Sequence, residues 1–143
     1  MKLISHRGNI NGPLPERENR LAYLYEAIKL GYEVEADVWY DDGWWLGHDK
    51  PQVKCNDIEL HDFWCHAKNE EALERLVEIP TIHCFWHQND YYTLTSKGHI
   101  WVYPGRKLLV GSICVLPEQG YQGHLKMCNG ICSDYISTYD TFK

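Results

Sequence analysis

The chain has 143 residues, enough for one domain with a buried core and too few for two. Hydrophobic residues make up 44% and charged residues 24%, which excludes a disordered or fibrous chain. A net charge of −6 without any basic run excludes a broad nucleic-acid footprint, and no stretch approaches the roughly 18 apolar residues of a membrane span.

The start, Met1-Lys2-Leu3-Ile4-Ser5-His6-Arg7-Gly8, turns polar after two apolar residues. It therefore reads as a buried strand over Leu3 to Ser5 rather than a signal peptide, and the expectation is a cytoplasmic, single-domain protein over residues 1–143. Turn residues from Gly8 to Pro15 predict a loop. Leu21, Leu24 and Ile28 recur at helical spacing, so a helix is expected from about Glu16 to Leu30, stopped by Gly31. Tyr32 to Tyr40 alternates as a strand, with Glu33, Glu35 and Asp37 on one side and Val34, Ala36 and Val38 on the other. Asp41-Asp42-Gly43 then turns the chain into Trp44-Trp45-Leu46-Gly47-His48.

Further along, Phe63 to Ala67 reads as a strand, and Asn69 caps a helix whose buried stripe is Leu73, Leu76 and Val77, ended by Pro80. Ile82 to Trp86 is the next strand. Helix signals then thin out. Tyr92 to Thr95 and His99 to Tyr103 flank a Ser-Lys-Gly turn as a hairpin, strands are expected at Ser112 to Val115 and Gly130 to Ser133, and a brief helical piece fits Gly123 to Met127. The strand-helix alternation of the first half favours a parallel sheet or barrel. Six cysteines read as small buried hydrophobes rather than disulfides.

Two carboxylates on one strand face, Glu35 and Asp37, repel each other unless a cation or basic groups offset them. His6 follows an apolar strand and His48 a Trp-rich segment, and in either place an imidazole can serve proton transfer or a structural hydrogen bond. The order is informative: His6-Arg7-Gly8, then Glu18-Asn19, then Gly31, then Glu35-x-Asp37-Val38, then Asp42-Gly43, then His48-Asp49. In this order the motifs of residues 4–49 resemble the glycerophosphodiester phosphodiesterase family of the phospholipase C-like phosphodiesterases. His66-Ala67-Lys68 and Gly130-Ile131-Cys132-Ser133-Asp134-Tyr135 extend the resemblance.

That resemblance implies an α/β fold of the (β/α) barrel type. A full barrel needs about 250 residues, so the expectation is a shortened TIM-type barrel with several outer helices missing, chiefly in the second half. It also implies a metal-dependent hydrolase of small phosphodiesters, glycerophosphodiester-like and tied to lipid metabolism. His6 and His48 would be the general base and acid, and Glu35 and Asp37 metal ligands. His66 stands where the family has a carboxylate and is the third ligand candidate. Mg²⁺ or Ca²⁺ is the expected ion, with Mn²⁺ or Zn²⁺ favoured if His66 ligates. Arg7 and Lys68 would hold phosphate, and Glu18 and Asn19 would brace the loop. From the strand pattern alone, His87 is either a substrate-pocket residue or a hydrogen-bonded structural histidine, and Trp101 and Tyr103 are either a stacking wall for substrate or ordinary core aromatics.

Two alternatives stand beside this reading. One is a non-catalytic phospho-ligand binding module on the same scaffold, which would need Arg7 and Lys68 but not both histidines. The other is a structural Cys/His metal protein built on Cys128 and Cys132. Strand faces left bare by missing helices would favour a homo-oligomer.

Overall fold

The computed structural model describes residues 1–121 and 123–143. The first half alternates as expected: β1 (Lys2–His6), α1 (Leu21–Lys29), β2 (Glu33–Tyr40), β3 (Trp44–Leu46), β4 (Val53–Cys55), α2 (Asp57–Leu60), β5 (Phe63–Ala67), α3 (Glu70–Val77) and β6 (His83–Phe85). The second half holds β7 (Tyr92–Leu94), β8 (Ile100–Val102), β9 (Ile113–Val115) and β10 (Gly130–Ser133), with only short 3₁₀ turns at Pro117–Gln119, Leu125–Met127 and Ile136–Phe142. The architecture is mixed α/β, with one ten-stranded sheet and few helices.

Seven strands run parallel in the order β6-β5-β2-β1-β10-β9-β8, and β7 adds to β8 antiparallel. The β3–β4 ribbon continues from the end of β2, where Val38 to Tyr40 pair with Trp44 to Leu46. No ladder joins β6 to β7, so the sheet is not closed. Isolated bonds bridge that seam instead, one between backbones and two through side chains: Ser96 N–H donates to the Cys84 carbonyl at 2.8 Å, Cys84 N–H donates to Ser96 Oγ at 2.9 Å, and Thr93 Oγ1–H donates to the Trp86 carbonyl at 3.0 Å.

Strand alternation sorts the core into two faces. Val34, Ala36, Val38, Phe63, Cys65, Ala67 and Cys84 look outward, where Leu24, Ala27, Ala72 and Leu76 of α1 and α3 cover them. Ile4, Trp64, Phe85, Trp101, Ile113, Val115 and Cys132 fill the inner face. Among the described residues no α-helix lies outside β8 and β9; Leu108, Tyr121, Cys128 and Leu125 of the second 3₁₀ turn cover Val102 and Cys114. The outward faces of β8 and β9 are thus covered without an α-helix, while Tyr92 and Leu94 of β7 stay exposed. Among the described residues no helix is long and apolar enough to cross a membrane.

Three local expectations are corrected. The first helix starts at Leu21 rather than near Glu16, because Asn19 takes a left-handed backbone (φ 59°) to serve a buried partner. Val77 is 56% exposed, and Ala72 takes its place in the buried stripe of α3. Helix α2 lacks any apolar periodicity of its own and is held by a capping box between Asn56 and Glu59.

Candidate active site

Because the seven core strands are parallel, their C-terminal ends share one rim, and residues far apart in sequence meet there. His6 ends β1, Glu35 and Asp37 lie on the inner face of β2, His48 follows β3, and His66 and Lys68 come from the end of β5. His87 follows β6, Trp101 and Tyr103 rise from β8, Leu116 follows β9 and Asp134 follows β10.

Glu35 and Asp37 are buried, at 1% and 0% exposure. Asp37 Oδ2 accepts from Asn19 Nδ2 at 2.9 Å and lies 3.0 Å from Arg7 Nε and 3.5 Å from His48 Nδ1. The Asn19 amide also returns a bond, its Oδ1 accepting Asp37 N–H at 2.9 Å. Glu35 Oε2 and Asp37 Oδ1 have no hydrogen-bond donor. Buried carboxylate oxygens without donors are costly, and a cation is the usual remedy.

His66 supplies the third corner. Its ring stacks on Phe85 at 4.9 Å, and Nε2–H donates to the His87 carbonyl at 2.9 Å, which turns Nδ1 toward Asp37 Oδ1 (3.3 Å) and Glu35 Oε1 (3.7 Å), off the hydrogen-bonding direction. Ligand atoms of Glu35, Asp37 and His66 all lie within 4.8 Å of one another. An imidazole fixed through one nitrogen by a backbone carbonyl, with the other aimed at carboxylates, is the arrangement that orients metal-binding histidines. Burial works against a charged His66, but its contacts with Asp37 and Glu35 win and push the ring up to about 9. A proton on Nδ1 and a cation are alternative occupants of one spot. Burial likewise opposes a charged Asp37, yet His48, His66 and Arg7 hold its carboxyl well below the usual range.

His6 is differently placed. Nδ1–H donates to Asp134 Oδ1 at 2.7 Å, leaving Nε2 toward the cavity, 3.9 Å from Glu35 Oε2. Burial alone would depress this imidazole, but Asp134 and then Glu35 raise it. His48 is half exposed, 3.5 Å from Arg7 Nη2. Arg7 Nη1 donates to Glu18 Oε2 at 3.3 Å, and Lys68 Nζ stands 3.9 Å from Asp37 Oδ1.

Two adjoining cavities open at this rim, sharing His6, Arg7, His48 and Leu116. One, of about 350 Å³, runs toward Lys68, Trp101 and Tyr103. The other, of about 430 Å³, runs toward Glu18, Gln52 and Asp134. Trp101 is buried against Phe85 and forms a floor rather than a free wall. The His87 ring lines the first cavity with Nε2–H held by the Asp90 carbonyl at 2.6 Å; its backbone carbonyl is what orients His66. Arg7, Asn19 and Leu116, at φ 55°, 59° and 48°, are three of the four non-glycine residues with positive φ among the described residues. Each costs about 1–2 kcal/mol, and such strain concentrates at functional sites. Gly47 is required before His48: at φ 158° a Cβ there would sit 2.0 Å from the Lys50 carbonyl oxygen.

The rim thus gathers the residues expected for a phosphodiester site, His6, Arg7, Glu18, Asn19, Glu35, Asp37, His48, His66, Lys68, His87 and Trp101, but not Cys128 or Cys132. It gives a place to Asp134, which the closing Gly130–Tyr135 segment contained without a role, and adds Asn9 and Glu118, which were not singled out. Asn9 sits inside a loop and carries no signal of its role. The cysteines do not form a second centre. All six are free and buried, with Cys128 packed against Leu108 and Cys114, and Cys132 in the separate inner cluster. No family model matches the chain, and no curated protein or solved structure matches it.

Proposed function

We propose that the chain is a metal-dependent phosphodiester hydrolase acting on a glycerophosphodiester-like or related small diester, on a much abbreviated (β/α) barrel. Seven parallel strands, with the β7 hairpin tied to the β6 segment by bonds from Thr93 and Ser96, support the barrel reading. One observation carries the function: two imidazoles in different settings, a guanidinium and a buried cluster of ligand atoms from Glu35, Asp37 and His66 converge on one cleft.

The donor set of two carboxylate oxygens and one imidazole nitrogen suits Mn²⁺ or Zn²⁺ better than Ca²⁺. A divalent ion so held supplies Lewis-acid polarisation of a phosphoryl oxygen. The protein's own groups do the rest. Arg7, steadied by Glu18 and Asp37, presents its remaining donors to the phosphate, and Lys68 adds charge from the other side. His6, its Nδ1–H tied to Asp134, accepts at Nε2 the proton of the attacking water as the new P–O bond forms. His48, nearer solvent, delivers a proton to the departing alcohol oxygen as the old P–O bond breaks. The products are a phosphomonoester and an alcohol.

A diester panel assayed with chelator, then with Mg²⁺, Ca²⁺, Mn²⁺ or Zn²⁺ restored, tests this. His6→Ala and His48→Ala should each lower kcat by about 10²–10⁴-fold. Turnover that survives either substitution, or the chelator, would sink the proposal.

A further inference from the structure

Asn9 is fully buried, and each of its polar atoms is in use. Its backbone N–H donates to the His6 carbonyl at 2.9 Å, and its carbonyl accepts from Ser5 Oγ at 2.9 Å. Its side-chain Oδ1 accepts from Leu14 N–H at 3.1 Å and Tyr23 OH at 3.2 Å. The two Nδ2 hydrogens go to different carboxylates: Glu18 Oε1 at 2.9 Å and Asp134 Oδ1 at 2.8 Å. Those carboxylates are the ones that hold Arg7 and His6.

We propose that Asn9 is a positioning residue that sets the phosphate-gripping Arg7 and the proton-accepting His6 from a single carboxamide. The role rests on the phosphodiesterase reading of the site. Chemistry dictates the side chain. A carboxamide has two donors on one atom to bridge two ionised carboxylates and an oxygen that accepts from the loop at the same time; an ammonium or guanidinium could bridge them but has no acceptor for Leu14 N–H and Tyr23 OH. Aspartate would put a third carboxylate between two others, and an aliphatic residue would take one donor from each, leaving Glu18 to Arg7 and Asp134 to His6 alone. Glu118 fixes the other end of the network, its Oε1 accepting Asp134 N–H at 2.9 Å and its Oε2 accepting Ser133 Oγ–H at 3.0 Å. With the Asp134 backbone anchored, Asn9 is, among the described residues, the one partner besides His6 itself that directs its Oδ1.

The test compares wild type, Asn9→Ala, Asn9→Asp and Tyr23→Phe, with bis(4-nitrophenyl) phosphate as probe and Mn²⁺ added. Asn9→Ala should lose about 100-fold in kcat, the scale of a small misplacement of reacting groups. Its Mn²⁺ affinity should stay within about threefold, because Asn9 touches none of Glu35, Asp37 or His66. Asn9→Asp should do no better than Asn9→Ala. Tyr23→Phe, which keeps both Nδ2 bonds, should stay within about twofold of wild type. A second readout needs no turnover: the His6 Nδ1–H proton, assigned by its loss in His6→Gln, should be slow to exchange in wild type and Tyr23→Phe and lost in Asn9→Ala. If no variant, wild type included, cleaves a diester with any ion, the phosphodiesterase reading fails while this proton still decides whether Asn9 sets His6. Should Asn9→Ala fail to fold, Asn9→Ser, whose hydroxyl serves one carboxylate at a time, gives both readouts. An Asn9→Ala or Asn9→Ser protein with wild-type kcat, or with the His6 proton unchanged, overturns the proposal.

Discussion

Replacing Asn19 by alanine should destabilise the protein out of proportion to the size of the change. The side chain is buried and makes two bonds to one residue, Nδ2 to Asp37 Oδ2 and Oδ1 from Asp37 N–H, both at 2.9 Å. Truncation strands the Asp37 N–H and strips one donor from a buried carboxylate, and alanine tolerates φ 59° less well than asparagine. Together these amount to about 3–5 kcal/mol, a large share of an ordinary domain's stability. At this chain length that corresponds to a fall in Tm of about 10–15 °C. Glycine at the same position loses the bonds but not the backbone comfort, so Asn19→Gly should lie about 1 kcal/mol above Asn19→Ala. Thermal unfolding followed by circular dichroism measures both. Mn²⁺ should also bind Asn19→Ala about 10–100-fold more weakly, since Asp37 loses its brace. An alanine variant within about 1 kcal/mol of wild type, or a glycine variant no better than alanine, would refute this account of why the helix begins late.

Two further outcomes are expected. Burial first, and His99 next, push the His83 ring down to about 4 from 6.5, so between those values the unfolded chain holds a proton that the folded chain does not. Stability should therefore fall as pH drops from about 6.5 to about 4, by about 1–2 kcal/mol for a partly exposed ring; denaturant melts of His83→Gln should show a flatter profile than wild type over that window, and parallel profiles would contradict it. Gly47→Ala should displace His48 through the clash with the Lys50 carbonyl, lowering kcat by about tenfold or more while the Mn²⁺ affinity of Glu35, Asp37 and His66 is largely kept; calorimetric titration beside the diester assay separates the two effects.

The gaps between expectation and structure share a cause. Helix α1 was legible in its apolar spacing, but its start was set by Asn19 reaching Asp37 on another element. Val77 fits the stripe of α3 by spacing, yet a helix of eight residues shows the sheet only one narrow face, which Ala72 and Leu76 occupy. Trp101 and His87 were recognisable as residues near a strand end, but whether a ring is wall, floor or hydrogen-bonded strut depends on what packs behind it.

The sequence by itself determined the strand alternation that puts Glu35 and Asp37 on one face, the parallel half of the sheet, and the residue types of the rim, because these follow from local periodicity and turn chemistry. Only the tertiary structure decided that His66 aims Nδ1 at both carboxylates, that Asp134 holds His6, and that Asn9 joins Asp134 to Glu18 across 125 and 9 residues of chain. Those contacts span separate strands and loops, and no local pattern encodes a partner that the sheet order alone brings within reach.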